Sequence, residues 1–316
     1  MLYDALWMLL GLVCLVVGAD ALVRGASALA QKLGIRPAVV GLTVVAWGTS
    51  FPELMISVQA SLGGYADLAI ANVVGSNFYN ITLIVGLSGL ISQLPVQRDT
   101  LRTDFPAMFG ATMALAVLAY DGVLSRVEGG LFVLALVAFT VYVLRSMPPE
   151  GEQSPMTSGL LNNPASAEQT SSPIALVLVG VGVVALGYGA DWFTDGAVSI
   201  AHDMGVSRRV IGLTLVALGT SLPELATSVV AAARGHAEIA VSNVVGSNLL
   251  NILVIIGVAA LIRPIPVSPE VVLNDMGALI GITALFGVFL WTHTKIVRWE
   301  GVVLLFLGVG YTCSLL

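Results

Sequence analysis

The hexapeptide GTSFPE occupies residues 48–53, inside the apolar stretch VVGLTVVAWGTSFPELMISVQASL. Almost the same letters, GTSLPE, return at residues 219–224. Each hexapeptide places a glutamate, Glu53 or Glu224, directly behind a proline in the middle of an apolar segment. A charge at membrane depth costs roughly 2.5–3.5 kcal/mol, so such a residue normally faces a cavity or a partner. We therefore expect both glutamates to point into the protein and to serve its function.

The composition predicts an all-α polytopic membrane protein. Of the 316 residues, 57 % are hydrophobic and only 10 % are charged, whereas about 25 % are charged in soluble domains. Apolar runs of about 20 residues, the length of a membrane-crossing helix, recur along the chain. The N-terminal segment lacks the basic region of a cleaved signal, which predicts a retained first helix. The net charge of −6, without any basic stripe, argues against a nucleic-acid partner.

Hydropathy predicts ten transmembrane helices in two groups of five. The first group lies near 5–29, 37–62, 66–92, 105–121 and 126–145. The second group lies near 173–198, 208–233, 237–262, 275–292 and 297–315. Residues 146–172 between them are rich in Pro, Ser, Asn and Glu, a composition that predicts a flexible cytoplasmic linker.

The two groups are copies of one unit. Sliding the chain by 171 residues aligns 41–91 with 212–262 at 29 identical positions out of 51, without a gap. The predicted units are therefore 1–145 and 173–316, with these segments as their cores. Because five is odd, the second copy enters the membrane from the opposite side, and inverted-topology repeats are typical of secondary transporters. Nine basic residues lie in one set of loops and four in the other, which predicts termini on the extracytoplasmic side.

The residues beside each glutamate predict a cation site. Each proline lacks an N–H, so it frees the carbonyl four residues back, that of Gly48 or Gly219, and favours a kinked or unwound helix over Gly-Thr-Ser. Exposed carbonyls at membrane depth are tolerated where they line a cavity. Hydroxyl groups join the same turns, from Thr49, Ser50, Thr220 and Ser221. Such hard oxygen ligands suit Ca²⁺ and Na⁺. The absence of His and Cys from these turns argues against zinc or copper. Two carboxylates that share a proton, as in a hydrolase, remain an alternative.

A second repeated cluster follows, NVVGSNFYN at 72–80 and NVVGSNLLN at 243–251. Within each copy a serine and an asparagine lie one helical turn apart on one face. We predict these four as further cation ligands: Ser76, Asn80, Ser247 and Asn251. For Asn72, Gly75, Asn77 and their counterparts, packing and hydrogen bonding between helices is the favoured interpretation.

At these motifs the chain resembles the sodium/calcium exchangers of the cation/calcium exchanger superfamily, in particular bacterial inner-membrane members. We expect no cofactor and no protein partner, with Ca²⁺ and Na⁺ as the transported substrates. The resemblance implies four mid-membrane cation sites in a diamond, with the two glutamates as shared ligands and the hydroxyl and amide residues completing the shell. It also implies that the first and sixth helices slide across the remaining core. Many members carry an aspartate at one of the positions held here by Asn80 and Asn251, a departure that bears on stoichiometry and on potassium coupling.

Other functions compete with Na⁺/Ca²⁺ exchange. Proton- or potassium-coupled exchange of Ca²⁺ or another divalent cation would use a similar site, as would a passive cation channel. An intramembrane hydrolase would need a water-filled substrate groove, and a non-transporting scaffold would not need buried glutamates. Asp20 and Asp191 correspond between the halves and suggest either helix caps or an access path for ions.

Overall fold

The computed structural model describes residues 2–145, 172–205 and 217–315, and helices account for most of them. The helices before the gap at 146–171 are α1 Leu2–Lys32, α2 Pro37–Thr49, α3 Phe51–Gly63, α4 Asp67–Ile91, α5 Thr100–Asp121 and α6 Arg126–Arg145. Those after it are α7 Ser172–Asp203, α8 Ala217–Thr220, α9 Leu222–Ala233, α10 Ala237–Ile262, α11 Val271–Thr292 and α12 Arg298–Leu315.

The helices lie where hydropathy predicts transmembrane segments. Within the described residues, seven helices are long and apolar enough to cross a bilayer, and the bent pair α2–α3 brings the number to eight. The predicted seventh span, 208–233, begins outside the described residues. Nearly all of the predicted linker, 146–172, also lies outside them. The predicted tenth span is an 18-residue helix, α12, with Arg298 and Glu300 in its first turn. The protein is thus a helical membrane protein, and the ten-span arrangement stays a prediction.

The centre of the protein is formed by α4 and α10. The most apolar window of α4 is 72 % buried and that of α10 is 83 % buried, whereas the corresponding window of α6 is only 11 % buried. Because α6 leaves large side chains such as Leu131 and Leu134 exposed, it suits contact with lipid. The second repeated cluster therefore lies on the two most deeply buried helices.

The long helices α1 and α7 pack against each other in antiparallel directions. Gly11 lies beside Gly189, Gly18 beside Gly182 and Gly25 beside Ala175, so the partner's number falls as the number on α1 rises. A Cβ added at Gly182 would lie only 2.7 Å from the backbone nitrogen of Leu22. Small residues at such positions let two backbones approach closely, which stabilises helix pairs within membranes.

Two short ribbons connect loops that are far apart in the sequence. Strand β1, Leu94–Pro95, pairs antiparallel with β4, Lys295–Ile296. Strand β2, Val123–Leu124, pairs antiparallel with β3, Ile265–Pro266. Each ribbon thus joins a loop of the first half to a loop of the second half.

Replacing Gly182 with alanine tests the contact between α1 and α7. The added methyl group would overlap the α1 backbone, so we expect Gly182→Ala to reduce the free energy of unfolding by about 1–3 kcal/mol. The measurement is the thermal unfolding midpoint of the purified protein in detergent.

The matched control is Gly180→Ala on the same helix, where an added Cβ meets no atom within 4 Å among the described residues. This control is expected to leave the midpoint unchanged or to raise it. Equal midpoints for the two variants would contradict a close approach of the two backbones.

Candidate cation site

Each repeated hexapeptide interrupts a helix. Helix α2 ends at Thr49 and α3 begins at Phe51, with a bend of 44° between them. Ser50 at the break has φ −83° and ψ 3°, and Ser221 has nearly the same values, φ −92° and ψ 7°. The proline two residues after each serine has no N–H and cannot continue the helical hydrogen bonds. The distortion predicted over Gly-Thr-Ser is therefore concentrated at one serine in each half.

These breaks bring the two glutamates together. Glu53 lies in the first turn of α3 and Glu224 in the first turn of α9. Their side chains are 1 % and 0 % exposed, and their carboxyl groups are close enough to interact with each other. Ser50 donates a hydrogen bond from Oγ to Oε1 of Glu224 at 2.9 Å. One buried chamber thus holds a carboxyl group from each half.

Many oxygen atoms of the predicted ligands have no hydrogen-bond partner. Among the described residues, this holds for both carboxyl oxygens of Glu53 and for Oε2 of Glu224. It also holds for Oγ of Ser76, Ser221 and Ser247 and for Oδ1 of Asn80 and Asn251. A buried acceptor without a partner costs about 1–3 kcal/mol. Eight such oxygens in the predicted set favour an occupant that carries positive charge.

The two threonines of the hexapeptides are held by asparagines of the opposite half. Thr49 donates to Oδ1 of Asn243 at 3.4 Å, and Thr220 donates to Oδ1 of Asn72 at 3.5 Å. The amide of Asn243 in turn donates to Oγ of Ser228 at 3.0 Å. The amide of Asn72 donates to Oγ of Ser57 at 3.2 Å. The interpretation of these asparagines as links between helices agrees with these contacts.

The two glycines of the hexapeptides lie against α7. A Cβ added at Gly48 would lie 2.7 Å from Cγ2 of Val183, and one at Gly219 would overlap Thr194. A cavity of about 120 Å³ adjoins Gly219 and Ser221 between α7 and the second broken helix. Helix α7 therefore packs directly against both glycines, which permit its close approach.

For Asn77 and Asn248 the sequence favoured packing and hydrogen bonding between helices, and their contacts agree with that interpretation. What the sequence missed is that their side-chain oxygens accept hydrogen bonds from Asn251 and Asn80. Both are 1 % exposed, and both make hydrogen bonds to residues of the opposite half. The signal available in the sequence was their repetition inside VVGSN, directly after the predicted ligand serine of each half.

The structure also shows the ion-pair partners of Asp20, for which the sequence suggested either a helix cap or an access path for ions. Its carboxylate forms ion pairs with Arg24 at 2.9 Å, on the same helix, and with Arg234 at 2.5 Å, at the end of α9. Asp191, the counterpart of Asp20, instead lies near a second acidic residue, Asp195. Asp20 thus links α1 to the second half, and Asp191 has a different environment.

The donor set suits hard cations. Carboxylate, hydroxyl and amide oxygens are the ligands of Ca²⁺ and of other hard cations. The described residues contain no group of three or more His, Cys, Asp or Glu that could hold a metal ion. A cation in this chamber would therefore be bound by two carboxylates and by neutral oxygens, with a total ligand charge of −2.

Comparison with known proteins identifies the family of the chain. The family model described as "Sodium/calcium exchanger protein" matches residues 3–145 and 174–316. The chain belongs to the sodium/calcium exchanger family. Its relatives in that family are transporters rather than enzymes, and the family supports exchange of a cation for Ca²⁺.

Members of the sodium/calcium exchanger family resemble the chain over nearly its whole length. It is 35 % identical to the inner membrane protein YrbG of Escherichia coli, over 93 % of this chain and 90 % of the relative. It is 36 % identical to the sodium/calcium exchanger MaX1 of Methanosarcina acetivorans, over 96 % of each. The solved structure of the sodium-calcium exchanger NCX_Mj soaked with Na⁺ and Ca²⁺ superposes with a TM-score of 0.85, at 31 % identity, over 100 % of this chain and 99 % of that one.

Binding of Ca²⁺ should stabilise the folded protein through the two glutamates. At a Ca²⁺ concentration of 100 times the dissociation constant, mass action raises the free energy of unfolding by about 2.7 kcal/mol. Glu53→Gln and Glu224→Gln remove a ligand charge, so we expect each to lose most of this increment. The measurement is the thermal midpoint with and without Ca²⁺.

The matched control is Glu300→Gln. Glu300 is also 0 % exposed, but its carboxylate accepts a hydrogen bond from the backbone N–H of Val297 at 2.8 Å and serves to begin α12. This control should keep the full increment with Ca²⁺, whatever its own stability. Equal increments in all three variants would assign the Ca²⁺ to another place.

Proposed function

We propose that the chain is a secondary active antiporter that exchanges Na⁺ for Ca²⁺ by alternating access around the glutamate chamber. The observation that supports this most directly is the pair of buried carboxyl groups, one from each half, with three of their four oxygens unpartnered among the described residues. The predicted ligands are Glu53 and Glu224, with Thr49, Ser50, Ser76, Asn80, Thr220, Ser221, Ser247, Asn251 and the carbonyls of Gly48 and Gly219 around them.

Charge balance gives the exchange its obligatory character. Two carboxylates place a charge of −2 in a poorly solvated chamber, and an uncompensated buried charge is costly. One Ca²⁺ or two Na⁺ cancel this charge, so either load lets the carrier reorient, whereas the empty carrier is held back. A third Na⁺ would leave one net positive charge. Its movement across the membrane would be driven by about 2.3 kcal/mol per 100 mV.

The architecture that we propose is ten transmembrane helices in two inverted repeats, 1–145 and 173–316, joined by a cytoplasmic linker. The family model matches each of the two halves separately. The counterpart helices α1 and α7 are antiparallel, which two units of opposite orientation require. The excess of basic residues in one set of loops favours termini on the extracytoplasmic side.

Two alternatives are less well supported. Potassium- or proton-coupled exchange would use the same chamber, but the neutral Asn80 and Asn251 supply no additional carboxylate for a further cation or proton. A passive channel would use similar oxygens, although two half-sites that meet between oppositely directed halves suit a carrier better.

Ca²⁺ uptake into proteoliposomes tests the proposal. We expect uptake of ⁴⁵Ca²⁺ when the vesicles are loaded with Na⁺, and background uptake when they are loaded with K⁺ or with protons at low internal pH. Glu53→Gln and Glu224→Gln should each reduce the Na⁺-dependent rate by about a hundredfold, because each removes a ligand shared by the transported ions.

The dependence on the counter-ion distinguishes the alternatives. Uptake that continues without any counter-ion would favour a channel, and uptake driven by K⁺ or by protons alone would replace Na⁺ as the coupling ion. An unchanged rate in both glutamine variants would reject the chamber as the transport site.

A further inference from the structure

We propose that Asn77 and Asn248 are positioning residues, each of which turns a ligand amide of the opposite half so that its oxygen faces the cations. Asn248 would orient Asn80, and Asn77 would orient Asn251. The proposal rests on the function given above, since it concerns how two of the predicted ligands are presented.

The four asparagines form a hydrogen-bonded cluster where α4 meets α10. Asn77 Nδ2 donates to the backbone carbonyl of Asn248, and Asn248 Nδ2 donates to the backbone carbonyl of Asn77, each at 3.2 Å. Asn80 Nδ2 donates to Oδ1 of Asn248, and Asn251 Nδ2 donates to Oδ1 of Asn77, each at 2.9 Å. All four side chains are at most 1 % exposed, so water does not compete for these bonds.

Elementary hydrogen-bond chemistry fixes the direction of every amide in this cluster. A backbone carbonyl can only accept, so the atom that Asn77 or Asn248 directs at it must be the amide nitrogen. The other amide atom of each, its oxygen, then faces the ligand asparagine across the interface. That oxygen requires a donor, so the ligand asparagine must direct Nδ2 at it, which leaves Oδ1 on the other side of the same amide.

The remaining amide atoms point to the consequence for cations. Oδ1 of Asn80 and Oδ1 of Asn251 are buried and have no hydrogen-bond partner among the described residues. If either amide were reversed, it would present two N–H donors in place of an acceptor, and it would bring two oxygens together at the position of the present hydrogen bond. Asn77 and Asn248 therefore select the cation-binding orientation of the ligands, and each acts across the boundary between the halves.

A mutant cycle tests this crosswise assignment. The variants are Asn248→Leu and Asn77→Leu, which keep the side-chain size but remove the hydrogen bonds, and Asn80→Ala, which removes one ligand oxygen. Ca²⁺ affinity is measured by calorimetry on the purified full-length protein. Loss of a group that orients a metal ligand typically weakens binding by 10- to 100-fold, so we expect about tenfold weaker binding for each leucine variant.

The cycle separates orientation from simple packing. In the Asn80→Ala background, Asn248→Leu should cause no further loss of affinity, because the ligand on which it acts is already gone. In the same background, Asn77→Leu should retain its full tenfold effect, because it acts through Asn251. A packing role would lower the thermal midpoint and would not produce this pairing.

The control is Thr283→Val, which removes a buried hydroxyl whose hydrogen bond to the backbone of Leu279 lies on α11. It should leave Ca²⁺ affinity at the wild-type value. If a leucine variant does not fold, Asn248→Ala and Asn77→Ala replace it in the same cycle.

The possible results distinguish the two levels of the hypothesis. If Asn80→Ala leaves Ca²⁺ affinity unchanged, the predicted ligand set is wrong, and the proposed site fails with it. If Asn80→Ala weakens binding but Asn248→Leu does not, or if their effects add fully, the orienting role is overturned while the site stands.

Discussion

Two carboxyl groups that share one buried chamber impose the main constraint on this protein. Glu53 and Glu224 lie at 1 % and 0 % exposure. Ser50 donates a hydrogen bond to Glu224, and no basic side chain forms an ion pair with either glutamate among the described residues. Such an arrangement is costly unless positive charge enters, so it favours the binding of cations. Each break at Ser50 or Ser221 places a glutamate at the start of a half-helix, where the backbone N–H groups favour negative charge. The buried carboxyl pair therefore both costs free energy and provides the basis of the proposed function.

The duplicated sequence meets this constraint by making each half support the other. Asn243 holds Thr49 of the first half, and Asn72 holds Thr220 of the second half. The asparagine cluster on α4 and α10 crosses the same boundary. Neither half could form this chamber alone, because each half supplies one carboxyl group and hydrogen-bond partners for residues of the other half. A substitution in 41–91 or 212–262 would therefore disturb contacts with the other segment.

The sequence predicts most of the helices and the location of the chamber, because both arise from local physical causes. The length of the apolar runs predicts the helices, and a proline four residues after a glycine predicts each break. A glutamate within an apolar segment predicts a site for a cation. Contacts between the halves are a different matter. Nothing local predicts that Ser50 donates to Glu224, or that β1 pairs with β4, because such pairs depend on how distant segments pack. Asn80 likewise donates a hydrogen bond to Asn248, 168 residues away, and the sequence predicts hydrogen bonding between helices at VVGSN without predicting this partner.

The neutral amides at positions 80 and 251 link this geometry to the number of ions carried. An aspartate at either position would add a carboxylate to the chamber, and its oxygens would meet Oδ1 of Asn248 or Asn77, which offers no proton. With asparagine, every contact in the cluster has a donor and an acceptor, and the ligand charge stays at −2. In the exchange that we propose, the loads that neutralise this charge are one Ca²⁺ or two Na⁺, and any additional Na⁺ would be bound by neutral oxygens alone. In the site that we propose, the asparagine cluster thus orients two ligands and, through the same hydrogen bonds, favours a chamber of fixed charge.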